Sequence, residues 1–313
     1  KEAYSKENNK GEIPGVSVDV QNGEYITVTA VKVLDKKGEK AIGKPAGDYI
    51  TIEAPDLKHF DQDLQDEVSK TLARELSKVI NLDPDKSALV VGLGNWNVTP
   101  DALGPRVISR LMVTRHLKQM MPDKIDEGIR PVCALSPGVL GLTGIETSEI
   151  IQGVVKKVKP DIVLIVDALA SRKLSRVSTT IQLGNTGINP GSGVGNKRMG
   201  LNQAVLGIPV IAIGVPTVVD AATMASDTID MVIDNLMEHS EQGKEFYNML
   251  KSLNRDEKFE LIQEVLTPYG ENLMVTPKDV DSIIDDISKI IANGINISLH
   301  PSINLKDINR YIN

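Results

Sequence analysis

The sequence predicts an α/β fold: three layers, α/β/α, around a mostly parallel sheet, with a small N-terminal β addition and a helical C-terminal part. Three observations predict it. Ala88–Val91, Val132–Leu135, Ile162–Val166 and Pro209–Ile213 are apolar at every position, as strands buried on both faces of a parallel sheet are. Helical patterns near 101–118, 146–158 and 199–206 separate these runs, and after Asp220 the chain reads as mostly helical. With 313 residues the chain is long for one domain and short for three. Residues 1–24 read as a mobile arm, 25–60 as the small β addition, and 61–313 as the main α/β domain with its helical C-terminal region.

Each element has a local reason. Tyr25–Leu34 alternates, with Ile26 and Val28 on one face and Thr27 and Thr29 on the other, which predicts a strand. Tyr49–Ala54 is its expected partner, after a loop containing Gly43–Gly47. Leu64, Val68, Leu72, Leu76 and Val79 make one apolar stripe and predict a helix over Asp61–Ile80. In the C-terminal part the pattern gives helices at roughly 220–238, 241–253, 256–266 and 278–293. The last carries Thr276 as its cap, Pro277 at its first position, Asp279 as the capping-box acid, and Gly294 as its stop. Gly184–Gly200 holds six Gly and three Asn and is read as a loop.

Composition narrows the function classes. Lys and Arg number 35 against 42 Asp and Glu, a net charge of −7. That balance argues against nucleic-acid binding. The single Cys133 excludes an internal disulfide and a Cys-cluster metal site, and lies in an apolar run that reads as core. No run of 18 apolar residues and no charged-then-apolar leader is visible, so neither a membrane nor secretion is expected. The first residue, Lys1, reads as a processed, trimmed or incompletely recorded start.

Two carboxylates carry the chemistry. The run Ala88–Val91 leads into Gly92-Leu93-Gly94, a loop, and Asp101 at a helix start. Ligands of open α/β sheets bind at the carboxyl ends of strands. Asp101 therefore either faces that rim or only complements a helix N-terminus. Asp167 ends the run Ile162–Val166. It either accepts N–H groups in its own turn or meets Asp101. A meeting of the two serves metal binding or a shared-proton pair, because like charges in contact cannot both ionise cheaply. Just beyond, Arg172, Lys173 and Arg176 form a basic cluster, either a solvated turn or a dock for acidic substrate residues. Gly191, Ser192 and Gly193 lie in the glycine-rich loop, either plain surface or a segment that closes on a substrate backbone.

Other chemistries lack their residues. Asn97 stands where a dinucleotide fingerprint needs its third Gly. Gly38–Lys44 imitates a phosphate-binding loop, but Pro45 replaces the metal-binding hydroxyl. His59, His116, His239 and His300 form no HExxH, and Ser192 is not in a GxSxG elbow. Without more, the residues describe a cytosolic α/β enzyme with a rim at Asp101 and Asp167. A nucleoside- or phosphosugar-handling enzyme and an idle binding module also remain open.

Longer strings decide between these. Ile42–Gly47, Val91–Pro105, Leu135–Thr147, Asp167–Arg172, Gly187–Asn196 and Pro216–Thr223 together resemble the germination protease family of spore-forming bacteria. These are endopeptidases that degrade small acid-soluble spore proteins. The resemblance runs from about 42 to 223. It implies a protease, an inactive precursor with an autoprocessed pro-segment, a homotetramer and a cytoplasmic (spore-interior) location; separately, no cofactor is expected. The Gly-Leu-Gly-Asn string and the later Asp are also similar to hydrogenase maturation endopeptidases. There an acid at the place of Asp101, an Asp at the place of Asp167 and a later His bind a metal. Here no His follows Asp167 until His239. Transition metals prefer N or S ligands, so Asp101 and Asp167 are expected to act on water directly, with no metal.

Overall fold

The computed structural model describes residues 13–59, 61–80, 82–83, 85–192, 198–239, 262 and 273–311. In chain order the elements are β1 (Val16–Asn22), β2 (Thr27–Val33), α1 (Lys36–Ile42), β3 (Gly47–Glu53), α2 (Gln62–Val79), β4 (Ala88–Gly92), α3 (Leu103–Ile108) and α4 (Arg115–Met120). Then come β5 (Val132–Leu135), α5 (Leu140–Thr143), α6 (Thr147–Val158), β6 (Ile162–Ser171), β7 (Thr180–Gly184), α7 (Gln203–Leu206) and β8 (Val210–Asp220). The chain continues with α8 (Ala221–His239), β9 (Met274–Val275), α9 (Val280–Leu299) and α10 (Leu305–Tyr311). The helices expected at 241–253 and 256–266 lie outside the described residues, apart from residue 262.

Among the described residues the strands form one sheet in the order β1-β2-β3-β7-β8-β6-β4-β5, with β9 also paired to β8. The core of the sheet, β8-β6-β4-β5, is parallel. The outer strands from β1 to β7 are antiparallel, and β7 meets β8 antiparallel. The strands of the N-terminal β addition thus extend the main sheet, through pairing of Tyr49–Glu53 with Thr180–Gly184.

Strand alternation sorts the core into two faces. Ala88, Val90, Leu164 and Val166 pack on one face with Leu64, Val68, Leu72 and Leu76 of α2 and with Ile287, Ile290 and Ile291 of α9. Leu89, Val91, Val163 and Ile165 pack on the other face with Ile151 and Val155 of α6 and Leu206 of α7. Helices therefore cover both faces, which gives the three layers.

Several elements differ from the sequence reading. Val16–Asn22 is a strand, although it falls in the stretch expected to be an arm. Its signal is the short alternation Val16, Val18, Val20, muted because β1 lies at the sheet edge. Lys36–Ile42 is a helix where the sequence suggests a loop, because Asp35 accepts from the N–H groups of Lys37 and Gly38. This helix contains most of the segment that imitates a phosphate-binding loop. The helix expected over 101–118 is broken into α3 and α4. Asn296 intervenes there, its Oδ1 accepting from Met112 N at 2.9 Å and its Nδ2 donating to Arg110 O at 3.2 Å.

The last long helix also departs from expectation. Gly294 does not stop α9, which continues to Leu299. A Cβ at Gly294 would lie 2.6 Å from Leu72 Cδ2, so the glycine permits close approach of α9 to α2. The N-cap is Asp279, without a side-chain capping bond, and Thr276 Oγ1 instead donates to Thr217 O at 3.1 Å.

His300 closes this packing. It is fully buried, its Nδ1 accepts from Arg130 N at 3.2 Å, and its Nε2 faces Met112 O at 3.3 Å. Burial pushes its pKa down to about 4, with the Arg130 charge adding to the effect and the Met112 bond opposing it. The folded value is below the ordinary 6.5. The corresponding stability is thus present above pH 6.5 and lost as pH falls toward 4. At ~1.4 kcal/mol per unit, the loss amounts to about 3 kcal/mol. Denaturant midpoints of wild type and His300→Gln, compared at pH 7 and pH 5, should show a smaller acid-side decline in the variant. Equal declines would show that His300 does not titrate in this way.

Candidate active site

The loop after β4 is held against β6. Leu93 N donates to Val166 O at 2.8 Å, one step beyond the Gly92–Val166 pair. Gly94 then takes φ +118°, and a Cβ there would fall 1.9 Å from Asp101 O. Only glycine allows the turn carrying Asp101 to sit this close. That turn, Thr99–Asp101, packs against β6 and β8. Thr99 Oγ1 ties it to α9 by donating to Asp281 Oδ1 at 2.9 Å.

The Asp101 side chain is turned toward the loop. Its Oδ2 accepts from Asn95 N at 2.8 Å, and the N-cap of α3 is Ala102, with no side-chain capping bond. Burial raises the Asp101 pKa, and the Asn95 N–H lowers it in part.

Asp167 is not the last residue of its strand, because β6 runs on to Ser171. The neighbouring β4 ends at Gly92, opposite Val166, so Asp167 is the first β6 residue beyond that edge. On its other side it pairs with Gly214 of β8. Being in a strand, it has no turn of its own to cap. Its carboxyl is buried, at 7% exposure. Burial pushes its pKa up to about 8, the Asp101 charge adds to the rise, and the Ala168 N–H offsets part of it. The Asp101 charge is thus felt at Asp167.

The other expected site residues are placed as follows. Arg172 is exposed, while Lys173 and Arg176 are half-buried. Ser171 Oγ donates to Lys173 O at 2.6 Å, and Leu174 N donates to Asp227 Oδ2 at 2.7 Å, which pins the segment to α8. Both arginines act on the Lys44 ammonium, whose pKa is lowered by burial first and then by Arg172 and Arg176. Gly191 is half-buried and Ser192 exposed, and Gly193 lies outside the described residues. The described residues contain no group of three or more His, Cys, Asp or Glu that could hold a metal ion.

Lys44 is a site candidate that sequence reasoning misses. It lies in Ile42–Gly47, a segment whose only remaining sequence signal is the family resemblance. Nothing local in the sequence shows that its ammonium feels the Arg172 and Arg176 charges.

A layered α/β protein with two interacting, partly desolvated carboxyl groups beside the end of a central parallel strand has the equipment of a hydrolase. The chain belongs to the germination protease family, whose model matches residues 1–245 and 234–312. It is accordingly a protease. It is 61% identical to a germination protease of Clostridium tetani, over all of this chain and 97% of that protein. It is 56% identical to one from Clostridium perfringens strain SM101, over all of this chain and 96% of that protein. It is 48% identical to one from Bacillus subtilis, over 96% of this chain and 90% of that protein.

Proposed function

We propose that this protease is an endopeptidase of spore germination that hydrolyses small acid-soluble spore proteins with Asp101 and Asp167 as an acid–base pair. The observation that carries this reading is the placement of both acids at the end of β4. The Thr99–Asp101 turn packs against β6, and Asp167 is the first β6 residue beyond Gly92. The Asp167 pKa is raised first by burial and then by the Asp101 charge. At neutral pH Asp167 keeps its proton. The Asn95 N–H favours the ionised form of Asp101. Asp101 then takes a proton from water as the water oxygen attacks the scissile carbonyl carbon. Asp167 gives its proton to the departing amine as the C–N bond breaks. Transfer of the captured proton from Asp101 to Asp167 restores the starting state.

Arg172, Lys173 and Arg176 are the proposed substrate-binding cations, and Gly191, Ser192 and Gly193 the segment that approaches the substrate backbone. Family membership supports an inactive precursor that removes its own pro-segment, a homotetramer, and a place in the spore interior. Among the described residues no helix is long and apolar enough to cross a membrane.

The test is incubation with a small acid-soluble spore protein, with and without a chelator. Discrete fragments in equal yield are expected. No cleavage by the processed protein would overturn the reading, and cleavage lost to the chelator and restored by one divalent metal would replace the acid–base pair with a metal site. A second measurement addresses the cations. Arg172→Ala should lower kcat/KM for a peptide with Glu beside the cut by about two- to fivefold, as for an exposed ion pair, and less at high salt. An unchanged Glu-over-Gln preference would show that Arg172 does not contact the substrate.

A further inference from the structure

The sheet face that carries Asp167 is shared with α6 and the glycine-rich segment. Val163 and Ile165 pack with Ile151 and Val155 of α6. Alternation puts Asp167 on that same side of β6. Helix α6 follows β5 and leads to β6, and both strands run parallel to β4. It must therefore run back against them, starting at the rim where the strands end. Asp167 lies at that rim, just beyond the end of β4.

The glycine-rich segment climbs this helix toward the rim. Its base is at the other end of the sheet, where α7 leads into β8 and Val210 pairs with Val163. Ile188 and Leu201 exchange backbone bonds at 2.9 and 2.8 Å, and Leu201 packs with Ile151 and Val155. Gln152 Nε2 donates to Met199 Sδ at 4.0 Å, and Arg198 Nη1 donates to Glu146 Oε1 at 3.1 Å. At ~1.5 Å per residue, Glu146 is about 9 Å nearer the rim than Gln152. Arg198 N also donates to Pro190 O at 3.2 Å, which ties the outgoing limb to the returning one. Gly191 follows Pro190 with φ +70°. Glu146 is the N-cap residue of α6 but makes no side-chain capping bond; its carboxylate is engaged by Arg198 instead.

We propose that Arg198 and Glu146 are positioning residues, which hold Gly191 and Ser192 at the rim on the Asp167 face, where they receive the backbone of the substrate peptide. The proposal rests on Asp167 belonging to the reacting centre. Gly191 suits this use, because it has no Cβ to keep an extended chain away. The two side chains are partly exposed, at 31% and 39%, so their ion pair adds little to stability. What it fixes is the place of one segment against the helix that borders the site.

The experiment measures kcat and KM of the processed protein on a peptide substrate, for wild type, Arg198→Ala, Glu146→Gln and the double variant. Each single variant should raise KM by about three- to tenfold, and by more than it lowers kcat, with the denaturant midpoint little changed. The double variant should be no worse than the worse single one, because both remove the same contact. Arg198→Lys should stay close to wild type, since the contact uses one nitrogen, Nη1. Unchanged KM in the single variants, multiplied effects in the double variant, or a KM rise matched by an equal fall in kcat would overturn the proposal. Asp167→Asn tests the reacting centre separately. If it keeps full kcat while Arg198 and Glu146 still act on KM as one unit, the acid–base reading fails and the positioning role stands.

Discussion

Asp101→Asn and Asp167→Asn should each lower kcat/KM by roughly 10²–10⁴ while leaving the fold intact. Asn matches Asp in size and keeps the side chain polar, so the packing around Gly94 and Gly214 survives. The chemistry does not. Asn at 101 cannot take a proton from water, and Asn at 167 cannot pass a proton to the leaving amine. Residues that act as a unit are not additive, so the double variant should be little worse than either single one. The wild-type pH profile of kcat/KM should be bell-shaped, falling in acid as Asp101 is protonated and in base through about 8 as Asp167 ionises. The two limbs belong to the pair as a coupled system. Steady-state kinetics on purified variants, with circular dichroism as the fold control, provides the measurement. Full activity in either folded variant would remove the pair from the mechanism.

The central sheet is legible because its strands carry apolar runs, although β4 is buried throughout while β5, at the sheet edge, is fully buried only at Val132. Ala88–Val91 and Val132–Leu135 need no partner to be recognised. The apolar run of β6 falls short of the strand because Asp167 interrupts it, although pairing with β8 continues to Ser171. Strand β7 merges into the glycine-rich loop. Its alternation of Ile181 and Leu183 with Gln182 is only five residues long, Thr180–Gly184. The acids can be picked out locally, Asp167 as a carboxylate ending an apolar run and Asp101 as one at the helix start after the Gly92-Leu93-Gly94 loop. The influence of the Arg172 charge on Lys44 cannot, because it links segments far apart in the sequence. Gly294 misleads for a related reason: a glycine that ends a helix and one that admits Leu72 look alike until the partner helix is known.

Asp167→Asn should also stabilise the folded protein, by an amount that depends on pH. The folded pKa of Asp167 is raised from the ordinary 3.8 to about 8. The folded state therefore holds a proton that the unfolded chain releases between those values. Its favourable contribution is fully present below about pH 4 and is lost as pH rises through about 8. Asn carries no such dependence. At ~1.4 kcal/mol per unit the whole window is worth about 6 kcal/mol, and water drawn toward an ionised Asp167 relaxes part of that. The variant should thus gain about 2–4 kcal/mol at pH 8 and almost nothing at pH 4. The Asp101→Asn variant should gain less, since burial rather than the Asp101 charge is the larger cause of the shift. Denaturant midpoints across pH 4 to 8 read the effect directly. Parallel curves for wild type and Asp167→Asn would mean that Asp167 is not held protonated in the folded protein, and its role as the acid would fall with it. A rising difference, together with lost cleavage, would show a residue kept at a cost to stability because the reaction requires it.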